Sequence, residues 1–448
     1  MIPIITPSEM AAIDASASEP PEVLIGRAGA AVARQALRMM GGGYGRRVVV
    51  VAGKGNNGAD GRVAARRLAQ RGARVAVCEA AAAPGRLPKC DLVIDAAYGT
   101  GLRGGYDGPD PGSAPVLAVD IPSGIDGITG VAGGSAVSAS CTVTFAAYKP
   151  GLLLADGAHR SGEIFVADIG LDVGGAEAFI VEDSDINVGD RTRESHKWMT
   201  AVCVVAGSPG MMGAPLLVTR GAMRAGSGYV RLGVPGGDPA ALPAGNEAVA
   251  FRVDADDWAT DVLPELERCK VLIIGPGLGR GEVQSANVRR LVAEAPVPVV
   301  VDADGLGALG DDAAEVIKRR TAPTVLTPHE GEFEKLAGAK PGADRFAAVR
   351  ELARRTGATV LLKGSTTIVS SPAGELLVST SGSPRLATAG TGDVLSGVVG
   401  GLLAAGLDGL KAAGFAAHVH GRAAGLGRAV GLVAGDVPEL VSQWLSRA

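Results

Sequence analysis

Cysteine is scarce and unpatterned. The 448-residue chain has five, Cys78, Cys90, Cys141, Cys203 and Cys269, an odd number with no C-x-x-C spacing. That excludes a disulfide framework and reads as small buried residues in a reducing, cytoplasmic compartment. Net charge is only −4 and no extended Lys/Arg block occurs, which argues against nucleic acid or an anionic membrane as a partner. The opening M-I-P-I-I-T-P-S-E-M lacks a basic segment followed by an apolar core, so no secretory signal is expected. Only Ala201 to Thr219, 19 uncharged residues, has the length of a membrane span. Gly207, Pro209, Gly210, Gly213 and Pro215 interrupt it, which predicts a strand, a loop and a helix start instead. Glycine is what the chain has in excess, 67 residues without a collagen period, as expected of many tight turns between short elements. With 47% hydrophobic residues, the length suggests two or three globular domains.

The patterning is that of an α/β protein. Ser8 to Met40 has helical spacing split by Pro20-Pro21. Arg47 to Ala52 is an apolar run, followed by G-K-G-N-N-G-A-D-G and a helix through Arg71. Further apolar runs at 75–78, 92–96, 116–119, 141–145 and 164–167 lack alternation, which predicts a parallel, doubly wound sheet covered on both faces. Asp183 to Lys197 is polar and patternless and marks a linker. A second series then begins, with strands at 201–206, 228–234, 271–274, 299–301, 325–326 and 360–362. The expected domains are 1–185, a linker over 186–197, and 198–448.

In doubly wound sheets ligands bind beyond the carboxyl ends of strands. Three strand ends of the first series carry Asn57, Asp95, Asp120 and Ser123 together with two glycine loops. Hard oxygen groups of this kind suit an alkali or alkaline-earth cation, not zinc. In the second series L-A-T-A-G-T-G-D-V-L-S-G, Leu386 to Gly397, joins a tight turn to a buried helix. Free N–H groups at a helix start suit a phosphate, and Asp393 among them suits a base for a hydroxyl that attacks that phosphate. The plainer reading makes Asp393 an N-cap. Lys363, followed by G-S-T-T, reads as a phosphate-side cation. Asp302 and Asp304 could ligate Mg²⁺ through water, or be structural. His329 could cap its turn, and His418 and His420 read as packing or surface residues.

Two resemblances sharpen this. The strand with G-N-N-G-A-D-G, then D-A-A-Y-G-T-G-L-R, V-D-I-P-S-G and F-A-A-Y-K-P-G-L, resembles the NAD(P)H-hydrate epimerase domain over about 1–185. It implies a Rossmann-like α/β/α sandwich in which Asn57, Asp95 and Ser123 bind K⁺. Asn56, Asn57, Gly58, Ala59, Asp60, Gly99, Thr100, Gly101, Leu102, Arg103, Gly104, Gly105 and Asp120 would contact substrate, with Asp120 catalytic. Ala59 stands where that family usually has Gly.

The order G-S-P-G-M-M-G-A, G-P-G-L-G, V-D-A-D, T-P-H-E-G-E, L-K-G-S-T-T and A-G-T-G-D-V-L-S-G resembles the ribokinase-like ADP- or ATP-dependent NAD(P)H-hydrate dehydratases over about 190–448. It implies that Lys363, Gly364, Ser365, Thr366, Thr367 and Gly392 contact the adenine nucleotide. Ala214, Gly277, His329 and Asp393 would contact the hydrated substrate, with Asp393 catalytic. Glu330 and Gly307 depart from the family's usual Pro and Asn, and Trp198-Met199 interrupts its usual strand start.

The expected chemistry is repair of hydrated NAD(P)H, with Mg²⁺ and ADP, or ATP, at the second site. Phosphorylation turns the ring hydroxyl into a good leaving group, and the ring nitrogen expels phosphate. The first domain would interconvert the two epimers. Expected partners are NADHX, NADPHX, the adenine nucleotide and further copies of the chain in a homo-oligomer. Two rivals are a vitamin or sugar kinase whose product keeps its phosphate, and a non-catalytic N-terminal binding module.

Overall fold

Strands apolar on both sides must be covered on both faces, and the computed structural model shows how each series achieves this. It describes every residue except Asp190, residues 242–246 and Ala448. The chain forms two compact units, Ile2–Glu177 and Ala178–Ala448, the latter with Met1.

In the first unit six parallel strands run in the order Arg74–Glu79, Arg47–Ala52, Leu92–Ala96, Val116–Val119, Cys141–Phe145 and Glu163–Ala167. The chain steps outward after Arg47–Ala52 and returns on its other side, so strand order reverses between Arg47–Ala52 and Leu92–Ala96. A crevice opens at such a reversal. Helices Pro21–Met40 and Asn56–Gln70 bury Val32, Ala36, Ala64 and Leu68 on one face. The other face, Val49, Val51, Val93 and Val116, is covered by loop residues such as Leu87, Tyr98, Tyr106 and Val137. A cavity of about 350 Å³ lies beneath those loops.

The second unit carries ten strands in the order Ala178–Ile180, Leu376–Ser379, Thr367–Ser370, Thr359–Leu362, Thr324–Leu326, Val299–Val301, Val271–Ile274, Ala201–Val205, Tyr229–Gly233 and Val249–Phe251. Thr367–Ser370 is antiparallel to both of its neighbours, and the other pairings are parallel. Order reverses between Ala201–Val205 and Val271–Ile274. On one face the buried helices Thr391–Ala404 and Gly409–Leu426 pack against the strands.

The boundary differs from the sequence-based one at 185/186. Ala178–Ile180 pairs with Leu376–Val378, and Val181 and Ile186 join the second core, so apolar pairing outweighs the polar character of the neighbouring residues. The predicted linker begins just after a short turn at Asp183–Asp185. Residues 201–219 fold as strand, loop and helix, and among the described residues no helix is long and apolar enough to cross a membrane. All five cysteines are free, three of them buried.

Candidate active sites

The N-terminal crevice is shaped by close backbone approaches. A Cβ at Gly58 would lie 1.9 Å from the Gly53 carbonyl oxygen, and one at Gly61 2.4 Å from Ala96 Cβ. Only glycine lets the Asn56–Gln70 helix start this close to the strand ends. Its first residues, Asn56, Asn57, Gly58, Ala59 and Asp60, therefore line the reversal point. Gly99 faces them: a Cβ there would sit 3.5 Å from both Asn57 Cγ and Asp120 Oδ2. The loop continues through Thr100, Gly101, Leu102, Arg103 and Gly104 to Gly105, which packs on the backbone at Gly133 and Gly134.

Asp95 and Ser123 meet directly. Ser123 Oγ donates to Asp95 Oδ1 at 2.7 Å, and Ser123 N donates to Oδ2 at 2.8 Å. Tyr98 N donates to Ser123 Oγ at 2.9 Å, which ties the Gly99 loop to this pair. Burial pushes Asp95 up to about 6 against these bonds. Both polar atoms of the Asn57 amide are buried without a partner among the described residues. An orphaned amide beside carboxylate and hydroxyl oxygens is a donor set that fits a hard cation.

Asp120 adopts a left-handed backbone at φ 67, uncommon without glycine and retained where surroundings impose it. Its N–H donates to Val143 O at 2.7 Å. Its Oδ1 receives Lys149 Nζ at 2.6 Å and Thr144 Oγ1 at 3.2 Å. Lys149 is 1% exposed and donates also to Thr144 Oγ1 and to the Phe145 carbonyl. A lysine so buried survives as a cation only through such partners. Asp60 is 6% exposed, and burial, then Asp120 and Asp14, push it up to about 8. Lys149 and Asp14 were not singled out from sequence. The lysine lies within the F-A-A-Y-K-P-G-L stretch, which was the available signal.

In the C-terminal unit Gly390, at φ 91, caps the Thr391–Ala404 helix. Asp393 is thus the third helical residue, and the N-cap reading is replaced. Gly392 is open toward Lys363, whose Nζ would be 3.3 Å from a Cβ there. Lys363 Nζ in turn donates to Asp302 Oδ1 at 2.5 Å. Ser396 Oγ donates to the other oxygen of Asp302 and is 3.0 Å from Gly392 O. With Asp302 taking the lysine, Asp393 is left without it. Burial first and then Asp302 push Asp393 up to about 7, Lys363 opposing and Asp304 and Glu332 adding to the rise. Lys363, Asp302, Asp393 and Gly392 therefore form one group.

Asp304 is tied to the Gly279 N–H at 3.0 Å, so neither aspartate is a bare Mg²⁺ ligand. Among the described residues no cluster of three or more His, Cys, Asp or Glu could hold a metal. Ala214 and Gly277 meet, since a Gly277 Cβ would lie 3.0 Å from Ala214 Cβ, and Ser208 Oγ donates to Gly277 O at 3.0 Å. Gly364, Ser365, Thr366 and Thr367 form the turn after Thr359–Leu362, with Thr367 Oγ1 donating to Gly364 O at 3.3 Å. His329 does cap its helix: Nδ1 accepts from Gly331 N at 3.0 Å and Glu332 N at 3.3 Å. Its side chain is 60% exposed, with Nε2 3.5 Å from Glu332 Oε1. His418 and His420 are both buried, not surface residues. Burial, with Lys363 nearby, pushes His420 down to about 4.

Comparison with known proteins shows the family. The NAD(P)H-hydrate dehydratase family matches residues 202–445. The family described as YjeF-related protein N-terminus matches residues 21–86 and 79–151. A bifunctional NAD(P)H-hydrate repair enzyme of Mycobacterium tuberculosis is 38% identical over 385 residues, 78% of this chain and 76% of its own. That of Mycobacterium leprae is 39% identical, covering 81% of this chain and 80% of its own. A solved ADP/ATP-dependent NAD(P)H-hydrate dehydratase from Bacillus subtilis, co-crystallised with ATP and Mg²⁺, superposes with a TM-score of 0.52 at 31% identity. The match covers 58% of this chain and 93% of that one. The chain belongs to the family of bifunctional NAD(P)H-hydrate repair enzymes.

Proposed function

We propose that the C-terminal unit dehydrates hydrated NAD(P)H by phosphorylating its ring hydroxyl, and that the N-terminal unit interconverts the two hydrate epimers. The observation that carries this is the division of labour around Asp302. It takes Lys363, which leaves Asp393 a carboxyl near neutral pKa at a helix start whose backbone amides would suit a phosphoryl group. Asp393 removes the hydroxyl proton as that oxygen attacks the terminal phosphate of ADP or ATP, ADP being the expected donor. The Gly390 to Gly392 amides and Lys363 hold the transferring charge, and Mg²⁺ bound with the nucleotide supplies further neutralisation. The ring nitrogen lone pair then expels phosphate and restores the double bond. Gly364 to Thr367 would hold the nucleotide, with Ala214, Gly277 and His329 against the substrate.

In the N-terminal unit the orphaned Asn57 amide, Asp95 and Ser123 would hold K⁺, which supplies a fixed positive charge for the substrate's polar groups. Asn56 to Asp60 and Gly99 to Gly105 would line the substrate, with Asp120 orienting the ring. We place the protein in the cytoplasm and read it as a homo-oligomer, which sedimentation would test.

The functional test is to mix protein with both NADHX epimers, Mg²⁺, K⁺ and either nucleotide, and follow recovery of the reduced-nicotinamide absorbance. Complete recovery supports both activities. No recovery with either nucleotide overturns the dehydratase reading, and a stable phosphorylated product would make the unit an ordinary small-molecule kinase.

A further inference from the structure

We propose that Asp60 is the catalytic proton donor of the epimerisation and that Lys149 is a positioning residue which holds Asp120 as its ionised partner. This deepens the epimerase reading and rests on it.

The geometry separates the two carboxyls by role. Asp120 has a charged partner on one oxygen only: Lys149 Nζ and Thr144 Oγ1 bond Oδ1, while Oδ2 faces Gly99 and Asn57 in the crevice. Lys149 has further acceptors in Thr144 Oγ1 at 2.9 Å, Phe145 O at 3.0 Å and Ala147 O at 3.3 Å. A cation held this way cannot swing to another carboxyl, so its charge is committed to Asp120. Asp60, on the helix that starts the crevice, is more deeply buried yet has no hydrogen bond to its carboxyl among the described residues. The charged groups that act on it are Asp120 and Asp14, the latter on helix Pro7–Ser16; Lys149 acts on Asp14 in turn. Of the three carboxyls only Asp120 is ion-paired to the buried lysine. The deeply buried one without a partner keeps its proton at neutral pH, with its pKa pushed up to about 8. A buried carboxyl without a partner beside one that is ion-paired gives an acid and a base.

The step balances. Asp60 gives its proton to the ring hydroxyl oxygen, the C–O bond breaks, and water leaves with the bonding pair. The ring nitrogen lone pair closes a C=N⁺ bond. Water adds to that carbon from the opposite face, and its surplus proton passes to Asp120 Oδ2. Return of one proton from Asp120 to Asp60 through solvent restores the site, with water exchanged and configuration inverted.

The experiment uses the full chain with a single NADHX epimer and no nucleotide, and follows appearance of the other epimer by chromatography from pH 6 to 9.5. Thermal unfolding of each variant, with the transition of the N-terminal unit at its wild-type position, reports that the mutated unit is folded. Asp60→Asn, near in shape to a protonated carboxyl, should lower the epimerisation kcat at least about 100-fold. It should also leave no pH limb above about 8, where the wild type falls. Lys149→Met should lower kcat at least about tenfold with KM within about threefold. If Lys149→Met fails this unfolding control, Thr144→Val replaces it, with a smaller fall in kcat at unchanged KM. Asp60→Asn within threefold of wild-type kcat, or altered only in KM, overturns the proposal, as does a wild-type rate that does not fall above pH 8. A wild-type protein that interconverts no epimers overturns the epimerase reading itself, a distinguishable result.

Discussion

The N-terminal unit bonds its buried lysine to Asp120, the carboxylate proposed to act on substrate, whereas the C-terminal unit bonds its lysine to Asp302 and not to the proposed base Asp393. Lys149 lies 2.6 Å from Asp120, while Lys363 lies 2.5 Å from Asp302 and leaves Asp393 to titrate near neutrality. The contrast matches two chemistries. An epimerase centre that turns over without a second anion needs its carboxylate neutralised in place. A phosphoryl-transfer centre receives highly charged phosphates, so a lysine beside the anion site suits it, and a raised pKa makes its carboxylate a stronger base for the hydroxyl proton.

The sharpest way to break the comparison is Asp393→Asn, which should lower dehydration by about 10²–10⁴ while epimer interconversion continues. Residual dehydration within tenfold would remove Asp393 from its role. Lys363→Met comes next, with a fall of about 10²-fold from loss of a preorganised phosphate-side charge. Because Lys363 holds Asp393 down, the same variant should move the rising limb of the dehydratase pH profile to higher pH. In the wild type the base must be ionised, so dehydratase kcat/KM should climb about tenfold per pH unit below about 7 and level off above it. If Asp60 acts as an acid, epimerisation instead falls above about 8, so recovery of both epimers is fastest between these limits. The smallest effect concerns the anion-site turn. Gly390→Ala meets a φ of 91 and Leu217 Cδ1 at 2.5 Å, and should destabilise the C-terminal unit by about 1–3 kcal/mol in thermal unfolding. Gly101→Ala, with open space around it, should shift stability by no more than about 0.5 kcal/mol.

Much of this was legible in the sequence because strand ends announce themselves. Unbroken apolar runs marked the parallel sheets, and the polar residues after them were Asn57, Asp95, Asp120 and Ser123 in one unit and Asp302, Lys363 and Asp393 in the other. What stayed hidden depends on orientation. That Lys149 reaches Asp120 follows from left-handed turns at Asp120 and Ala146, residues with no glycine to mark them. Lys363 was legible as a cation but not as Asp302's partner, since they are 61 positions apart. The covering of the N-terminal sheet by helices on one face and loops on the other was equally unreadable, because long crossovers without helices carry no periodicity.

The strand Ala178–Ile180 has a practical consequence for dissecting the chain. A dehydratase half cut at the polar stretch after 185 would lose a strand beside Leu376–Ser379 and the core side chains of Val181 and Ile186. The stripped ladder would present bare N–H and C=O groups, inviting insolubility that has nothing to do with the active site. The same cut would leave the epimerase half trailing a sticky apolar tail. A division between Glu177 and Ala178 keeps that strand and those side chains with the dehydratase half.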